Sequence, residues 1–388
     1  MYYPAYINLK NRKCLVVGGG TVAERKVVSM LISGGNVTVI SPDATDLLRF
    51  LAKNDTIHWH KRNLRIDDTN GYFLVCAATD FTETNTSAFT EAHEKNNIRL
   101  VNVVDVIPQC TFAAASVVTD GDIMLSISTS GKSPATSRRI REHFEETLHT
   151  SSLYTLGYEN GKPMPIENQG LPYPVYLLLE NRKCVVIADE NTDEIERRLS
   201  LLRQCGGNVL CLIPDEVEDC EIHDAFLVIS ADKFYVDNLQ MNCSEFLCEF
   251  IGNTAAGTHF TPNVIVDDNL IISIASKNRE DVSKEKLLHQ KLTHHFKNKG
   301  YGAFIELLGK RRQEVLDAFP TSKMRADFFE KIIGHVSNTT FQTCCLNLKQ
   351  PKCSVDCLFN WVRDSKIEHA NTFITEQIKT QRANLNLH

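Results

Sequence analysis

Gly18-Gly19-Gly20-Thr21-Val22-Ala23 has the spacing G-x-G-x-x-A, directly after the apolar run Cys14-Leu15-Val16-Val17 and before a stretch of helical pattern. The first glycine of that spacing permits a tight turn, the second lets a pyrophosphate approach bare backbone, and a small third residue lets helix and strand pack closely. A helix N-terminus beginning here offers N–H groups and a partial positive charge to phosphates. The pattern predicts a dinucleotide site built from Gly18, Gly19, Gly20, Thr21 and Val22. The next β-rich run ends at Ser41-Pro42-Asp43, so Pro42 and Asp43 are expected beside the same ligand. Asp43 is the nearest carboxylate for a ribose hydroxyl, or else caps the following helix. No Arg stands in that loop to take a 2′-phosphate, which favours NAD over NADP. Thr79-Asp80 follows the run Phe73 to Ala77 and falls at the carboxyl edge of the predicted sheet, as a ligand contact or as a turn and helix cap.

These residues need a parallel sheet to hold them. β-Rich runs at 14–17, 37–40, 71–77 and 100–104 alternate with helical patterns at 23–32 and 85–95, the mark of βαβ units. The chain then repeats itself. Residues 3–14 are echoed by 173–184, Gly34-Gly35-Asn36-Val37 by Gly206-Gly207-Asn208-Val209, and Leu125-Ser126-Ile127 by Ile272-Ser273-Ile274. The fold class expected is α/β, a Rossmann-like parallel sheet that is internally duplicated and followed by a helical C-terminal region. Copy two carries Ala188-Asp189-Glu190 where copy one has its three glycines, and two carboxylates there repel a phosphate. The segments expected are a nucleotide-binding domain at 1–112, a segment at 113–150, a turn-rich linker at 151–172, a degenerate repeat at 173–257, a second segment at 258–299, a helical domain at 300–336 and a Cys-containing tail at 337–388.

The 388 residues are 43% hydrophobic and 23% charged, the balance of an ordinary globular chain. A formal net charge of -6 argues against a nucleic-acid partner, which needs a Lys/Arg excess. No apolar run approaches the roughly 20 residues of a membrane span. Met1-Tyr2-Tyr3-Pro4 lacks the basic and apolar regions of a signal peptide, so a cytoplasmic protein with no membrane partner is expected. Thirteen cysteines, an odd number scattered through apolar strands, fit reduced and buried thiols better than a disulfide framework.

Further along, Val101-Asn102-Val103-Val104-Asp105, Cys110-Thr111-Phe112 and Ser128-Thr129-Ser130-Gly131-Lys132-Ser133-Pro134 precede a basic helix with Arg138, Arg139 and Arg141. With the glycine motif and Glu24-Arg25-Lys26, these blocks resemble the precorrin-2 dehydrogenase and sirohydrochlorin ferrochelatase family, the N-terminal module of siroheme synthases. The resemblance covers about the first 150 residues, with the blocks in order. It implies NAD-dependent oxidation of precorrin-2 to sirohydrochlorin and, in bifunctional members, insertion of Fe²⁺ as a substrate to give siroheme. It also places the family's catalytic aspartate at Asp105. General chemistry agrees: a proton must leave the macrocycle with the hydride, and a carboxylate accepts it. Thr129, Lys132, Arg138 and Arg139 are expected to face the carboxylates of the tetrapyrrole, although a solvated helix face paired with Glu142 and Glu145 accounts equally for the arginines.

The resemblance further makes 113–150 and 258–299 dimerisation segments, so copy two stands in for a partner subunit in an intrachain pseudodimer, or the chain forms a homodimer. Gly252 aligns with Asp105, and Ser276-Lys277-Asn278-Arg279 replaces the Gly-containing turn. The rival reading is a non-catalytic sensor or carrier of NAD or a tetrapyrrole. Cys344, Cys345, Cys353 and Cys357 match no paired C-x-x-C template, and no metal ligand is assigned. His289, His294 and His295 are expected to be exposed.

Overall fold

The computed structural model describes residues 1–104, 106–148, 153, 156–217, 222, 224–231, 247–252, 256–277, 282–333 and 357–385. In chain order the first half contains β1 (Tyr3–Ile7), β2 (Lys13–Val17), α1 (Thr21–Ile32), β3 (Asn36–Ile40), α2 (Asp46–Lys53), β4 (His58–His60), β5 (Leu74–Ala77), α3 (Thr82–Phe89), β6 (Leu100–Val103), β7 (Phe112–Ala114), β8 (Ser116–Asp120), β9 (Ile123–Ser128) and α4 (Pro134–Leu148). Then come β10 (Tyr158–Glu159), β11 (Lys162–Pro163), β12 (Tyr173–Leu177), β13 (Lys183–Ile187), α5 (Asp193–Gln204), β14 (Asn208–Leu212), β15 (Leu227–Ser230), β16 (Leu247–Phe250), β17 (His259–Phe260), β18 (Asn263–Asp267) and β19 (Leu270–Ser276). Among the described residues, six further helices lie between Val282 and Asn384.

Contacts divide the chain into two compact units, residues 1–115 with 152–262 and residues 116–151 with 263–388. The seven successive segments expected from sequence thus fold as two interleaved units, because strands far apart in sequence pair with one another. In the first unit, β4-β3-β2-β5-β6 form a parallel sheet, and β14-β13-β15-β16 form a second one. Every residue of β2 after Lys13 and every residue of β5 is buried, as expected where a sheet has both faces covered. Strand order reverses at β2, with β3 on one side and β5 on the other, which leaves a crevice at their carboxyl ends.

Equivalent residues of the repeat make equivalent contacts. The Arg12 guanidinium lies 4.4 Å over the Phe73 ring, and Arg182 lies 4.4 Å over Phe226. Thr111 Oγ1 accepts from Val101 N at 2.8 Å, and Thr258 Oγ1 from Cys248 N at 2.8 Å. Strands β1 and β12 pair antiparallel with Ala5 opposite Val175, so residues 3–7 meet their own echo, 173–177, about a local two-fold axis. In the second unit β9 and β19 do the same, with Ser126 opposite Ser273 and their buried hydroxyls 2.5 Å apart. The 151–172 stretch holds the β10–β11 hairpin, and its Gln169 N–H donates to Ile32 O at 2.9 Å, so it packs on the first module.

The helices between Tyr301 and Ile333 fall in the second unit. Phe304, Leu308, Phe319 and Phe328 share one core with Leu125, Ile127, Ile272 and Ile274, because the apolar face of the β18-β19-β9-β8 sheet must be covered. The exposed placement expected for the histidines holds for His294 alone. His289 is half-buried, with Nε2 3.0 Å from Val264 O, and His295 is half-buried, its pKa pushed down to about 4 by desolvation. Their helix, Val282–Phe296, lies against β18 and turns that face inward. Cys344, Cys345 and Cys353 lie outside the described residues, and Cys357 is buried beside Leu358 and Trp361. Among the described residues no three His, Cys, Asp or Glu side chains converge to hold a metal, and no helix is long and apolar enough to cross a membrane.

The second module buries a charged cluster. Arg198 donates to Glu249 at 2.9 Å, Thr261 to Glu249 at 2.5 Å, and the wholly buried His259 stands 3.9 Å from the same carboxylate. Burial penalises the Glu249 charge, but Arg198, His259 and Thr261 more than offset it, so its pKa lies below the ordinary value. Desolvation pushes His259 down to about 4. The unfolded chain takes up a proton below about pH 6.5 while the folded His259 stays neutral, so stability is full above that pH and falls as pH drops toward 4, by about 3 kcal/mol. His259→Phe, the residue at the equivalent Phe112, is expected to shrink the difference between urea unfolding free energies measured at about pH 7 and about pH 4.5.

Candidate nucleotide site

The carboxyl ends of β2, β3 and β5 open onto a cleft of about 810 Å³ that is lined by all eight expected cofactor residues, Gly18, Gly19, Gly20, Thr21, Val22, Pro42, Asp43 and Thr79. The three glycines play different parts. Gly18 has φ +123°, and a Cβ there would stand 2.3 Å from Ala78 O. At Gly19, an x position of the motif, a Cβ would stand 2.0 Å from Asp43 O. Both glycines are demanded by the fold, and only the first was legible from the spacing. A Cβ on Gly20 meets nothing within 4 Å, because this residue faces the open cleft. Gly20 is also the N-cap of α1 and supplies no side chain to its N–H groups, which leaves the helix end available to an anion. These features fit a dinucleotide phosphate.

Of the two roles weighed for Asp43, the helix cap falls to Thr45, whose hydroxyl accepts from Leu48 N at 3.4 Å. Asp43 instead accepts from Arg49 Nη2 at 2.5 Å and from Ala44 N at 2.9 Å, and the Arg49 hydrogen bond holds its carboxyl below the usual range. Arg49 escaped the sequence reading because it sits beyond the loop, on α2, and reaches back by one helical turn. Thr79 is fixed by Asn85, a buried residue that carried no motif signal. Asn85 Oδ1 accepts from Thr79 N at 3.1 Å and Oγ1 at 2.8 Å, and Asn85 Nδ2 donates to Thr79 O at 2.9 Å. Thr79 is therefore both a turn residue and part of the cleft wall.

Asp105 lies outside the described residues, and its neighbours Val104 and Val106 line the cleft. The four residues expected to meet the tetrapyrrole belong to the second unit. Thr129 is buried, and its hydroxyl accepts from Ser133 N at 3.2 Å. Lys132 pairs with Glu306, which also accepts from Asn269 at 3.0 Å. Arg138 pairs with Glu142 at 2.8 Å, Arg139 approaches the same carboxylate at 3.7 Å, and Arg141 pairs with Glu145. Each of these four residues thus has a protein partner already, and Glu306 came from a part of the chain that the motifs did not reach.

The second module differs where it matters for phosphate. Helix α5 is capped by Thr192, whose hydroxyl accepts from Ile195 N at 3.3 Å, and its first turn carries Asp193, Glu194 and Glu196. One donor of this helix end is thus taken by a side-chain cap, which α1 lacks, and the first turn carries carboxylates.

Residues 5–116 match the protein family described as "Putative NAD(P)-binding". Siroheme synthase 1 of Serratia proteamaculans is 36% identical over 150 residues, 39% of this chain and 31% of that protein. Siroheme synthase of Photorhabdus laumondii is 37% identical over 161 residues, 42% of this chain and 34% of that protein. The N-terminal part of the chain is thus similar to part of these siroheme synthases. The chain spans about a third of the length of these siroheme synthases. A solved structure titled "SirC, precorrin-2 dehydrogenase" is 27% identical, with a TM-score of 0.33, over 36% of this chain and 68% of that one.

Proposed function

We propose that the chain is an NAD-dependent precorrin-2 dehydrogenase of siroheme formation, with Fe²⁺ insertion into sirohydrochlorin as a second step at the same acid. The observation that carries this reading is the bare Gly20 end of α1, facing a cleft whose wall includes both neighbours of Asp105. The siroheme synthase relatedness of the same residues supports it. Gly18, Gly19, Gly20, Thr21 and Val22 would hold the pyrophosphate of NAD, Pro42 and Asp43 the ribose side, and Thr79 would meet the ligand from the cleft wall. When bound, NAD supplies the hydride acceptor. Asp105 takes the proton that leaves the macrocycle with that hydride, and for metal insertion it takes pyrrole N–H protons. Thr129, Lys132, Arg138 and Arg139 meet tetrapyrrole carboxylates by exchanging their present partners. Anaerobic turnover of precorrin-2 with NAD⁺, followed by Fe²⁺, tests each step in order; a carrier would bind both ligands and form neither product.

The Asp43–Arg49 pair favours NAD over NADP, since a 2′-phosphate would meet the Asp43 carboxylate and find Arg49 engaged. Asp43→Ser is expected to weaken NAD⁺ binding several-fold and to raise NADP⁺ affinity about tenfold, as measured by titration calorimetry. Loss of affinity for both dinucleotides would contradict the assignment. The acidic, self-capped end of α5 predicts one dinucleotide per chain in the same titration, and two would overturn the single-site reading. The local two-fold pairings of β1 with β12 and of β9 with β19 support a pseudodimer, for which light scattering should find a monomer.

A further inference from the structure

Cys110 is buried and directly follows the short helical turn Ile107–Gln109. Its sulfur accepts from Val103 N at 3.3 Å, and its thiol lies 3.2 Å from Val103 O and 3.3 Å from Val106 O. Asn102 Nδ2 reaches the same sulfur at 3.6 Å, and Asn102 Oδ1 accepts from Lys26 Nζ at 2.6 Å. Lys26 stands on α1, the helix whose N-terminus forms the phosphate cradle. One chain of contacts therefore links that helix to the backbone on both sides of position 105.

The repeat provides an internal control. Thr111 and Thr258 clamp Val101 and Cys248 in the same way, through their amides at 2.8 Å and their carbonyls at 3.2 and 3.3 Å. The helix-to-strand tie is also kept, as Lys26 to Asn102 in one module and Arg198 to Glu249 in the other. The residue preceding the threonine is Cys110 in the first module but Gly257 in the second, and Asp105 is matched by Gly252. What the fold needs survives in both copies. The thiol is missing from the copy that also lacks the acid.

Resting on the dehydrogenase reading, we propose that Cys110 is a positioning residue for the acid at position 105, acting through the backbone it holds at Val103 and Val106, with Lys26 and Asn102 behind it. Desolvation raises the Cys110 pKa, so the sulfur keeps its proton and can donate to one of the two carbonyls. A thiolate would accept only and would leave both carbonyls unanswered.

The test uses the full chain with Cys110→Ala and Cys110→Ser. Cys110→Ala should lower kcat for precorrin-2 oxidation about tenfold, leave NAD⁺ affinity unchanged and shift the acid limb of the pH–rate profile. Cys110→Ser, which restores a donor, should recover most of the rate. Hydrogen exchange should speed up at amides 103–110 in the alanine variant and not in module two. Native kcat and a native pH profile in a folded, NAD-binding Cys110→Ala protein would overturn the proposal. If that variant does not fold, a serine variant that is folded but as slow as Asp105→Ala overturns it equally. If the native chain makes no sirohydrochlorin, the dehydrogenase reading falls, and unchanged exchange at 103–110 would then dispose of the Cys110 role as well.

Discussion

Asp105→Ala is expected to lower the rate of precorrin-2 oxidation by about 10²- to 10⁴-fold while NAD⁺ affinity stays nearly native. The size of the effect follows from the chemistry. Two electrons leave as hydride only if a proton leaves too, and no second carboxylate of the cleft wall is proposed for that task. Asp43 is held by Arg49, and Asp80 stands at the Thr79 turn. A carboxylate that merely capped a turn would cost stability instead, about 1 kcal/mol, with little change in rate once the protein is folded. Single-turnover kinetics beside a thermal melt separate the two results. Fe²⁺ insertion should fall in the same variant if one base serves both steps.

The second large effect separates three adjacent glycines. Gly20→Asp places a Cβ in open space on a backbone of φ -80° and ψ -176°, suited to an N-cap, so α1 should be as stable as in the native chain or slightly more so. The new carboxylate then occupies the phosphate end of the helix, and dinucleotide affinity should fall by at least about a hundredfold, roughly 3 kcal/mol. Gly19→Ala should behave in the opposite manner. Its Cβ would stand 2.0 Å from the carbonyl of Asp43, so the backbone must move, at a cost of about 3 kcal/mol in unfolding free energy. Denaturant unfolding together with calorimetric titration of NAD⁺ tests both variants. Gly20→Asp with native affinity would remove α1 from the phosphate site.

The parallel sheet of the first module was legible because its strands are short unbroken apolar runs and its helices begin where those runs stop. The observed strands Lys13–Val17 and Asn36–Ile40 depart from the sequence reading by single residues. The expected helix over 85–95 begins earlier, at Thr82, and becomes π-helical over Thr90–Lys95, a change of winding that leaves apolar spacing almost unaltered. Interleaving of the two units was not legible. It depends on β9 meeting β19 across a long stretch of chain, and pattern within a window holds no information about such pairing.

At the site, glycine spacing identified Gly18 and Gly20, while the need for Gly19 comes from a neighbouring loop carbonyl that no linear motif records. Arg49, Asn85 and Glu306 were missed for a related reason. Each is an ordinary polar residue on a helix, and its task is set by what the fold brings opposite it. The Asp189-Glu190 pair in the repeat was readable, whereas the Thr192 cap of α5 is visible only in the geometry.

Anaerobic mixing of the full chain with precorrin-2 and NAD⁺, with NADH and the macrocycle spectrum followed together, is the most direct test. The account requires one NADH for each sirohydrochlorin formed, abolished by Gly20→Asp at the binding step and by Asp105→Ala at the chemical step. Precorrin-2 that stays reduced in the presence of a fully NAD-saturated native chain would contradict it.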